Sequence, residues 1–412
     1  MPAVEGCSVV IAENRRREVR ERGAKSRSMV VGVTHPQTCL VLAGRLRRLR
    51  EAGFHVTLVS SPGELLDKTA AREGVDAVAV PMKRRIAPLA DLVSLLRLWR
   101  LLRGLKPDVV EFSTPKAGLL GTLAAAVAGV PHRVYMLRGL KLERARGIKR
   151  CILWVAEWVA SVLAHRVLCN SASLRTKVLA LGVAPAQKLH ILGEGSSNGV
   201  DVERFAPGKS DVRRRLGIPP EAYVAGFVGR LTRDKGLPEL VRAFDSILHA
   251  EPYTHLLLVG WFDASEDSLD KVLRARIERH PRIHLTGFVE YTEEYYRAMD
   301  VMVLPTWREG FPNSVLEAAA SGIPVITTYS TGSRDSVVPE VTGLLIPAGY
   351  PEAIAEAVLS LLRDPERRLR MGSAARKWVL EHYANGRVLG MTVDFYKNLF
   401  AVAETKRLSR TM

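Results

Sequence analysis

The sequence predicts an α/β protein built from two open parallel sheets in tandem, and three observations carry that prediction. From Met29 onward, short β-branched runs alternate with longer helical ones. The stretch "GEGSSNGVDVERFAPGKSD" at 193–211 breaks the alternation with Gly, Ser, Asn and Pro, after which a second alternating series begins. Apolar residues make up 47% and charged residues 25% of 412, the balance of a folded chain long enough for two complete cores.

The first series opens with "MVVGV" (29–33), a helix through "CLVLAGRLRRLREAG" and "HVTLVSS" (55–61). "VDAVAV" (75–80), "DVVEF" (108–112), "RVYML" (133–137), "RVLCN" (166–170) and "KLHIL" (188–192) follow. The second series reads "YVAGFVG" (223–229), "HLLLVG" (255–260), "RIHLTG" (282–287), "VMVLP" (301–305), "IPVITT" (323–328) and "GLLIP" (343–347). Helices are expected at about 237–250, 266–279, 292–299, 313–320, 352–362 and 366–382. Strands separated by helices form βαβ units, whose parallel sheets are covered on both faces. Two such sheets leave a cleft between them, and ligands bind at the carboxyl ends of the strands.

The net charge of +17 calls for an anionic partner: nucleic acid, a phosphorylated substrate or a membrane surface. Cys7, Cys39, Cys151 and Cys169 lack the spacing of a zinc site or a disulfide framework, which suits a reducing compartment. No apolar run reaches the roughly eighteen residues needed to span a bilayer; "CILWVAEWVASVLAH" (151–165) comes closest and carries Glu157 in its middle. Residues 1–28 are rich in Arg and Glu and are expected to form a disordered extension ahead of a first domain at 29–200. A second domain at 201–385 and a tail at 386–412 complete the division.

Two loops of the second half carry chemistry. "GFVGRLTRDKGLPEL" (226–240) ends a strand at Gly229 and presents Arg230 and Lys235 before a helix near Pro238. A planar guanidinium fork and a mobile ammonium make a phosphate clamp, although such residues also occur in ordinary solvated turns. "WREGFPNSVLEAAASGIPVI" (307–326) brackets a Gly-Phe-Pro turn with Glu309 and Glu317. Pro312 suits a first helical position and Gly310 permits a close backbone approach. Carboxylates near a helix start can simply offset its dipole. If the sheet brings both loops to one rim, however, a diphosphate would meet Arg230, Lys235 and the N–H groups ahead of that helix. The glutamates would then accept hydrogen bonds from vicinal diols. The pair of loops is thus shaped for a nucleotide diphosphate sugar.

The E-x7-E segment resembles the signature of the family 4 glycosyltransferases. "FVGRLTRDKG", "SNGVD" (197–201) and "TGSRDSVVPEVTGLLIP" (331–347) match further patterns of that family. "STPKAGLLGTLAAAVAGVPHRVYMLRGL" (113–140) is similar to bacterial polysaccharide transferases acting on lipid-linked sugars. The resemblance runs from Met29 to about Tyr396. It implies a GT-B fold, two Rossmann-like domains facing across a cleft, with a final helix (about 386–405) crossing back to the first. It implies Glu317 on the donor ribose, Glu309 beside the sugar, and Arg230 and Lys235 on the pyrophosphate. Gly310 and Phe311 offer backbone N–H groups, and Gly229, Pro312 and Asn313 complete the donor-binding set. Retention of anomeric configuration is implied, with no metal or other cofactor, in keeping with the lack of a D-x-D motif. The donor is expected to be UDP-linked, with the loop at 287–295 meeting the base.

The sequence departs from the family at two loops of the first half. Arg138, followed by Gly139, stands where many relatives carry histidine before glycine. "THPQTCL" (34–40) lacks a common glycine pair and offers Thr34, His35 and Gln37. Thr34, His35, Lys116, Arg138 and Gly139 are the acceptor-side candidates, although a lone histidine such as His35 is often only a loop residue. "RVYMLRGLKLERARGIKR" (133–150) has Glu143 as its only acid, and "KRR" (83–85), Arg97, Arg100 and Arg103 add cations. With Trp99, Trp154 and Trp158 in the same half, these suit peripheral attachment to an anionic membrane, or else are solvated faces over a normal core. The expected enzyme moves a sugar onto a polyprenyl-diphosphate-linked sugar or glycan acceptor, in the cytoplasm at the inner face of the plasma membrane. Rival readings are a nucleotide-sugar epimerase, a donor-binding accessory protein on the same fold, and a basic nucleic-acid-binding protein. No nucleic-acid-binding motif supports the last, so no nucleic-acid partner is expected.

Overall fold

The computed structural model describes residues 26–408. Both expected sheets are present and wholly parallel, with seven and six strands. The first contains β1 (Arg27–Gly32), β2 (Phe54–Ser60), β3 (Asp76–Ala79), β4 (Val109–Ser113), β5 (His132–Leu137), β6 (Arg166–Cys169) and β7 (Leu189–His190), in the order 3-2-1-4-5-6-7. The second contains β8 (Tyr223–Val228), β9 (Thr254–Val259), β10 (Ile283–Leu285), β11 (Val301–Leu304), β12 (Val325–Thr328) and β13 (Gly343–Ile346), in the order 10-9-8-11-12-13. In each sheet the order reverses beside its first strand, between β1 and β4 and between β8 and β11. The loops leaving those strands diverge there and open a crevice.

The first sheet is covered by α1 (Arg45–Glu51), α2 (Glu64–Glu73), α3 (Pro88–Leu105), α4 (Pro115–Val127), α5 (Gly147–Leu163) and α6 (Ala172–Ala180). After the short α7 (Val212–Arg215), the second is covered by α8 (Leu237–Ala250), α9 (Lys271–Arg279), α10 (Glu293–Arg297), α11 (Asn313–Ala320), α12 (Pro351–Leu362) and α13 (Pro365–His382). The last helix, α14 (Asn385–Leu408), crosses back: Val393, Tyr396 and Phe400 join the core of the first half. Phe54 packs against the rings of Tyr396 and Phe400 at 6.4 and 6.2 Å. The two passages between the halves are tied together, since Val200 N–H donates to Tyr383 C=O and Asn385 N–H to Val200 C=O, both at 2.9 Å.

Several local expectations are corrected. Residues 1–25 lie outside the described residues, but Arg27 and Ser28 of the expected extension belong to β1. The Asp108 carboxylate holds Ser28 there through its N–H (2.7 Å) and its hydroxyl (3.1 Å). The helix expected through 39–53 is broken into a 3-10 turn (Pro36–Leu42) and α1, because Gly44 between them takes φ +74°. The helix expected from 266 starts at Lys271, where the Asp270 side chain accepts from Leu273 N–H at 2.8 Å. Pro312 is the N-cap of α11 rather than its first residue; its ψ of 111° is extended, and the helix begins at Asn313.

Candidate active site

The β8/β11 reversal brings the two chemistry-bearing loops of the second half to one rim. Gly236 makes this approach possible: at φ +77°, a Cβ there would lie 2.1 Å from the Pro305 carbonyl oxygen. Trp307 N–H donates to Asp234 C=O at 3.0 Å, and the Thr306 hydroxyl donates to the same oxygen at 3.1 Å. Arg308 reaches the Asp234 carboxylate at 3.0 Å. Burial works against the ionised Asp234, yet Lys235, Arg308 and the Thr232 hydroxyl together hold it below the usual carboxylate range.

Lys235 and Glu309 form an ion pair across the junction, both largely buried. Arg230 stands at the mouth, paired with Asp263. Behind them the turn enters α11. Among the described residues, nothing accepts a hydrogen bond from the N–H of Gly310, Phe311, Asn313 or Ser314. These donors and the helix dipole make a positive end beside two cations, the arrangement that binds a diphosphate. One helix turn on, Glu317 accepts from the buried Tyr296 hydroxyl at 2.7 Å through one oxygen. Burial raises its pKa, against the Tyr296 hydrogen bond and Arg204. Its other oxygen has no partner among the described residues. Gly229 takes φ +150° as the chain leaves β8. The Phe311 ring is buried and packs on Tyr383 at 5.2 Å, so only its backbone faces the rim.

The first half meets this turn directly. A Cβ on Gly310 would lie 2.2 Å from the Arg138 carbonyl oxygen, and Gly139 abuts Gly310 N. The close approach that Gly310 permits is therefore to the backbone of the opposite half. Thr331 donates to Glu143 at 2.9 Å, Gly332 N–H to the Ser173 hydroxyl at 2.8 Å, and Ser173 bonds Asp335. Lys149 pairs with Glu266 at 2.6 Å, and Arg144 lies 4.6 Å over the Trp307 ring. Burial raises the pKa of Glu143 and lowers that of Lys141, which stands near Arg308, Arg230 and Arg84.

The acceptor-side candidates divide. Thr34, Thr114 and Ala117 are knotted together at the β1/β4 reversal, with the two hydroxyls 2.6 Å apart. Thr34 thus shapes the crevice and its hydroxyl is occupied. Lys116 is held by Asp91 at 2.7 and 2.9 Å, and by the Arg85 carbonyl, so its ammonium braces α3 against α4. His35 caps the 3-10 turn, and burial, then Arg84, lower its pKa against Asp263. Arg138 turns its guanidinium toward the connection between halves, donating to the Ser197 hydroxyl at 2.8 Å. Burial, then Arg45, bring it down to about 10. Its Nε and Nη2 are buried without a partner.

Sequence patterning does not single out Asp234, Asp263 or Arg308 as site residues, and marks Glu143 only as the lone acid of a basic stretch. Asp234 sits inside the quoted "RLTRDKG" and Arg308 beside Glu309, but nothing local shows that one neutralises the other. Among the described residues, no three His, Cys, Asp or Glu side chains gather as a metal site would require.

Two family models match the chain: "Glycosyl transferase 4-like domain" over residues 41–195 and "Glycosyl transferases group 1" over 222–364. The capsular polysaccharide biosynthesis glycosyltransferase CapM of Staphylococcus aureus is 34% identical, over 91% of this chain and 98% of the relative. The UDP-Gal:alpha-D-GlcNAc-diphosphoundecaprenol alpha-1,3-galactosyltransferase of Escherichia coli is 27% identical over the same shares. Among solved structures, Anabaena Alr3699/HepE in complex with UDP-glucose matches with a TM-score of 0.75 at 19% identity, covering 90% of this chain and 99% of that one. The last likeness concerns the fold.

Proposed function

The chain belongs to the group 1 glycosyltransferases with a GT-B fold, and from that premise we propose that it transfers a hexose from UDP to a polyprenyl-diphosphate-linked sugar, with retention of configuration. One observation carries the reading: Lys235, Arg230 and the open N–H groups of α11 converge at the β8/β11 reversal, with Glu309 and Glu317 on either side. Glu317 accepts from the donor ribose through its unpartnered oxygen. The diphosphate takes Lys235 from Glu309 and Arg230 from Asp263, and the released Glu309 accepts from the sugar hydroxyls. As the sugar–phosphate bond breaks, the two cations and the helix end carry the growing phosphate charge, so no divalent metal is needed.

The name of the Escherichia coli relative supports a UDP sugar and a diphosphate-linked lipid acceptor, and that of the Staphylococcus aureus relative supports work in surface polysaccharide synthesis. The test is incubation with radiolabelled UDP-hexoses and polyprenyl-diphosphate-linked N-acetylglucosamine, with and without EDTA. Label should enter the lipid phase equally in both, and proton coupling in the released disaccharide should show an α-linkage. A β-linkage, dependence on metal, or release of an epimerised nucleotide sugar without transfer would each contradict the proposal.

A further inference from the structure

Three helices of the first half present an apolar outer surface. On α3 the exposed stripe is Leu89, Leu92, Val93 and Leu96, with Leu89 83% exposed. On α5 it is Ile148, Ile152, Val155 and Trp158, with Ile148 81% exposed. Between them lies α4, in contact with both, whose half-exposed Leu119 and Leu123 continue the surface. The spacing of three and four residues on each helix is that of a face made to be covered.

The exposed charges of these three helices have one sign, although Lys149 also pairs with Glu266 of the second half. Arg97, Arg100 and Arg103 are exposed along α3, and Arg146, Lys149 and Arg150 along the start of α5. The acids of these helices are turned inward: Asp91 holds Lys116 at 2.7 Å, and Glu157 is buried, bonded to the Tyr135 hydroxyl at 2.6 Å. Trp99 and Trp154 pack against the core, contrary to their expected interfacial place, while Trp158 remains half out. Because the helices follow β3, β4 and β5, they start at the carboxyl ends of the strands. The face therefore meets the cleft at a lip bearing Arg84, Arg85, Lys141 and Arg144.

We propose that the α3–α4–α5 face docks on an anionic lipid bilayer, with the cationic lip at headgroup depth. An apolar stripe on helices whose own exposed charges are all cationic complements a leaflet in both respects. Among the described residues no helix is long and apolar enough to cross a membrane, so the face lies on the bilayer. A second copy of the chain fits poorly, because two-fold pairing would set the arginine rim against itself. The inference rests on the lipid-linked reading of the acceptor and deepens it: the acceptor's diphosphate would reach the cleft over the lip, without leaving the surface.

The experiment is co-sedimentation of the full chain with phosphatidylcholine vesicles, with and without phosphatidylglycerol, alongside UDP titration of the same samples. The wild type should bind the anionic vesicles more strongly than the neutral ones. Leu92→Glu with Ile152→Glu should weaken binding about tenfold or more. Arg97→Gln with Arg100→Gln should lose about fivefold per cation on anionic vesicles only. Val272→Glu, at an exposed apolar site on α9, should change nothing. Vesicle binding that survives both face variants overturns the proposal, as does a wild-type dimer that the variants dissolve without any vesicle binding. If vesicles bind as stated while UDP fails to bind, the docking face stands and the UDP-donor reading falls.

Discussion

Replacing Lys235 by alanine is expected to lower kcat about 10²–10³-fold, with a much smaller change in KM for the donor. In the proposed reaction the ammonium would lie where the charge of the departing diphosphate grows, so its contribution is expected to be largest in the transition state. Ground-state affinity would be shared with Arg230, the N–H groups of α11 and the proposed ribose contact of Glu317, and is expected to survive largely intact. The substitution also leaves Glu309 without its counter-charge in a site that exposes only 15% of its side chain. Lys235→Arg separates these effects by restoring the charge with a different reach, and should recover only part of the rate. Arg233 lies in the same loop but donates to the Glu266 carbonyl at 2.9 Å, and its alanine variant should behave as wild type. Steady-state kinetics with varied donor reads all three. An unchanged kcat in Lys235→Ala would remove the leaving-group role.

Glu111→Gln is expected to destabilise the first half by about 3–5 kcal/mol, because it leaves a buried guanidinium without its partner. Arg45 and Glu111 are both 0% exposed. The carboxylate takes Arg45 and the Tyr396 hydroxyl on the same oxygen, and Arg45 also donates to Ser197 C=O at 2.8 Å. One charge cluster thus joins α1, β4, the connecting segment and the crossing helix. For a domain of this size the loss corresponds to a fall of roughly 10 °C in the unfolding midpoint. Replacing the pair by Arg45→Met with Glu111→Leu should restore most of it, since both desolvation costs disappear together. Tyr396→Phe should lose about 1–3 kcal/mol by removing one charged hydrogen bond. Thermal unfolding followed by circular dichroism checks the series. A Glu111→Gln midpoint equal to wild type would show that the cluster contributes nothing.

Much of this architecture was legible in the sequence. Every expected strand is present, because buried parallel strands need continuous β-branched runs and their helices do not. The Glu309/Glu317 spacing marked the helix entrance, whereas the convergence of the 229–236 and 307–313 loops was only conditional until the sheet order placed β8 beside β11. The partners of those residues were not legible. Arg45 and Glu111 lie 66 positions apart, and Tyr396 lies 285 from Glu111, so no periodicity joins them. Arg138 is expected on the acceptor side, and no local pattern reveals that its side chain bonds Ser197, 59 residues on in the connecting segment. Lys116 and Thr34 sit by the β1/β4 reversal, but sequence cannot show that Asp91 and Thr114 already hold them. The break at Gly44 and the start of α9 at Asp270 turn on a single dihedral and a single cap, below the reach of hydrophobic patterning.

The most direct test is calorimetric titration with UDP, GDP and ADP, repeated on Glu317→Ala. Micromolar binding selective for UDP, worth about 8 kcal/mol, is expected, with the variant weakened by at least about tenfold. Equal, weak and salt-sensitive binding of all three nucleotides, unchanged by the substitution, would contradict the assignment of a nucleotide-sugar site to the β8/β11 rim.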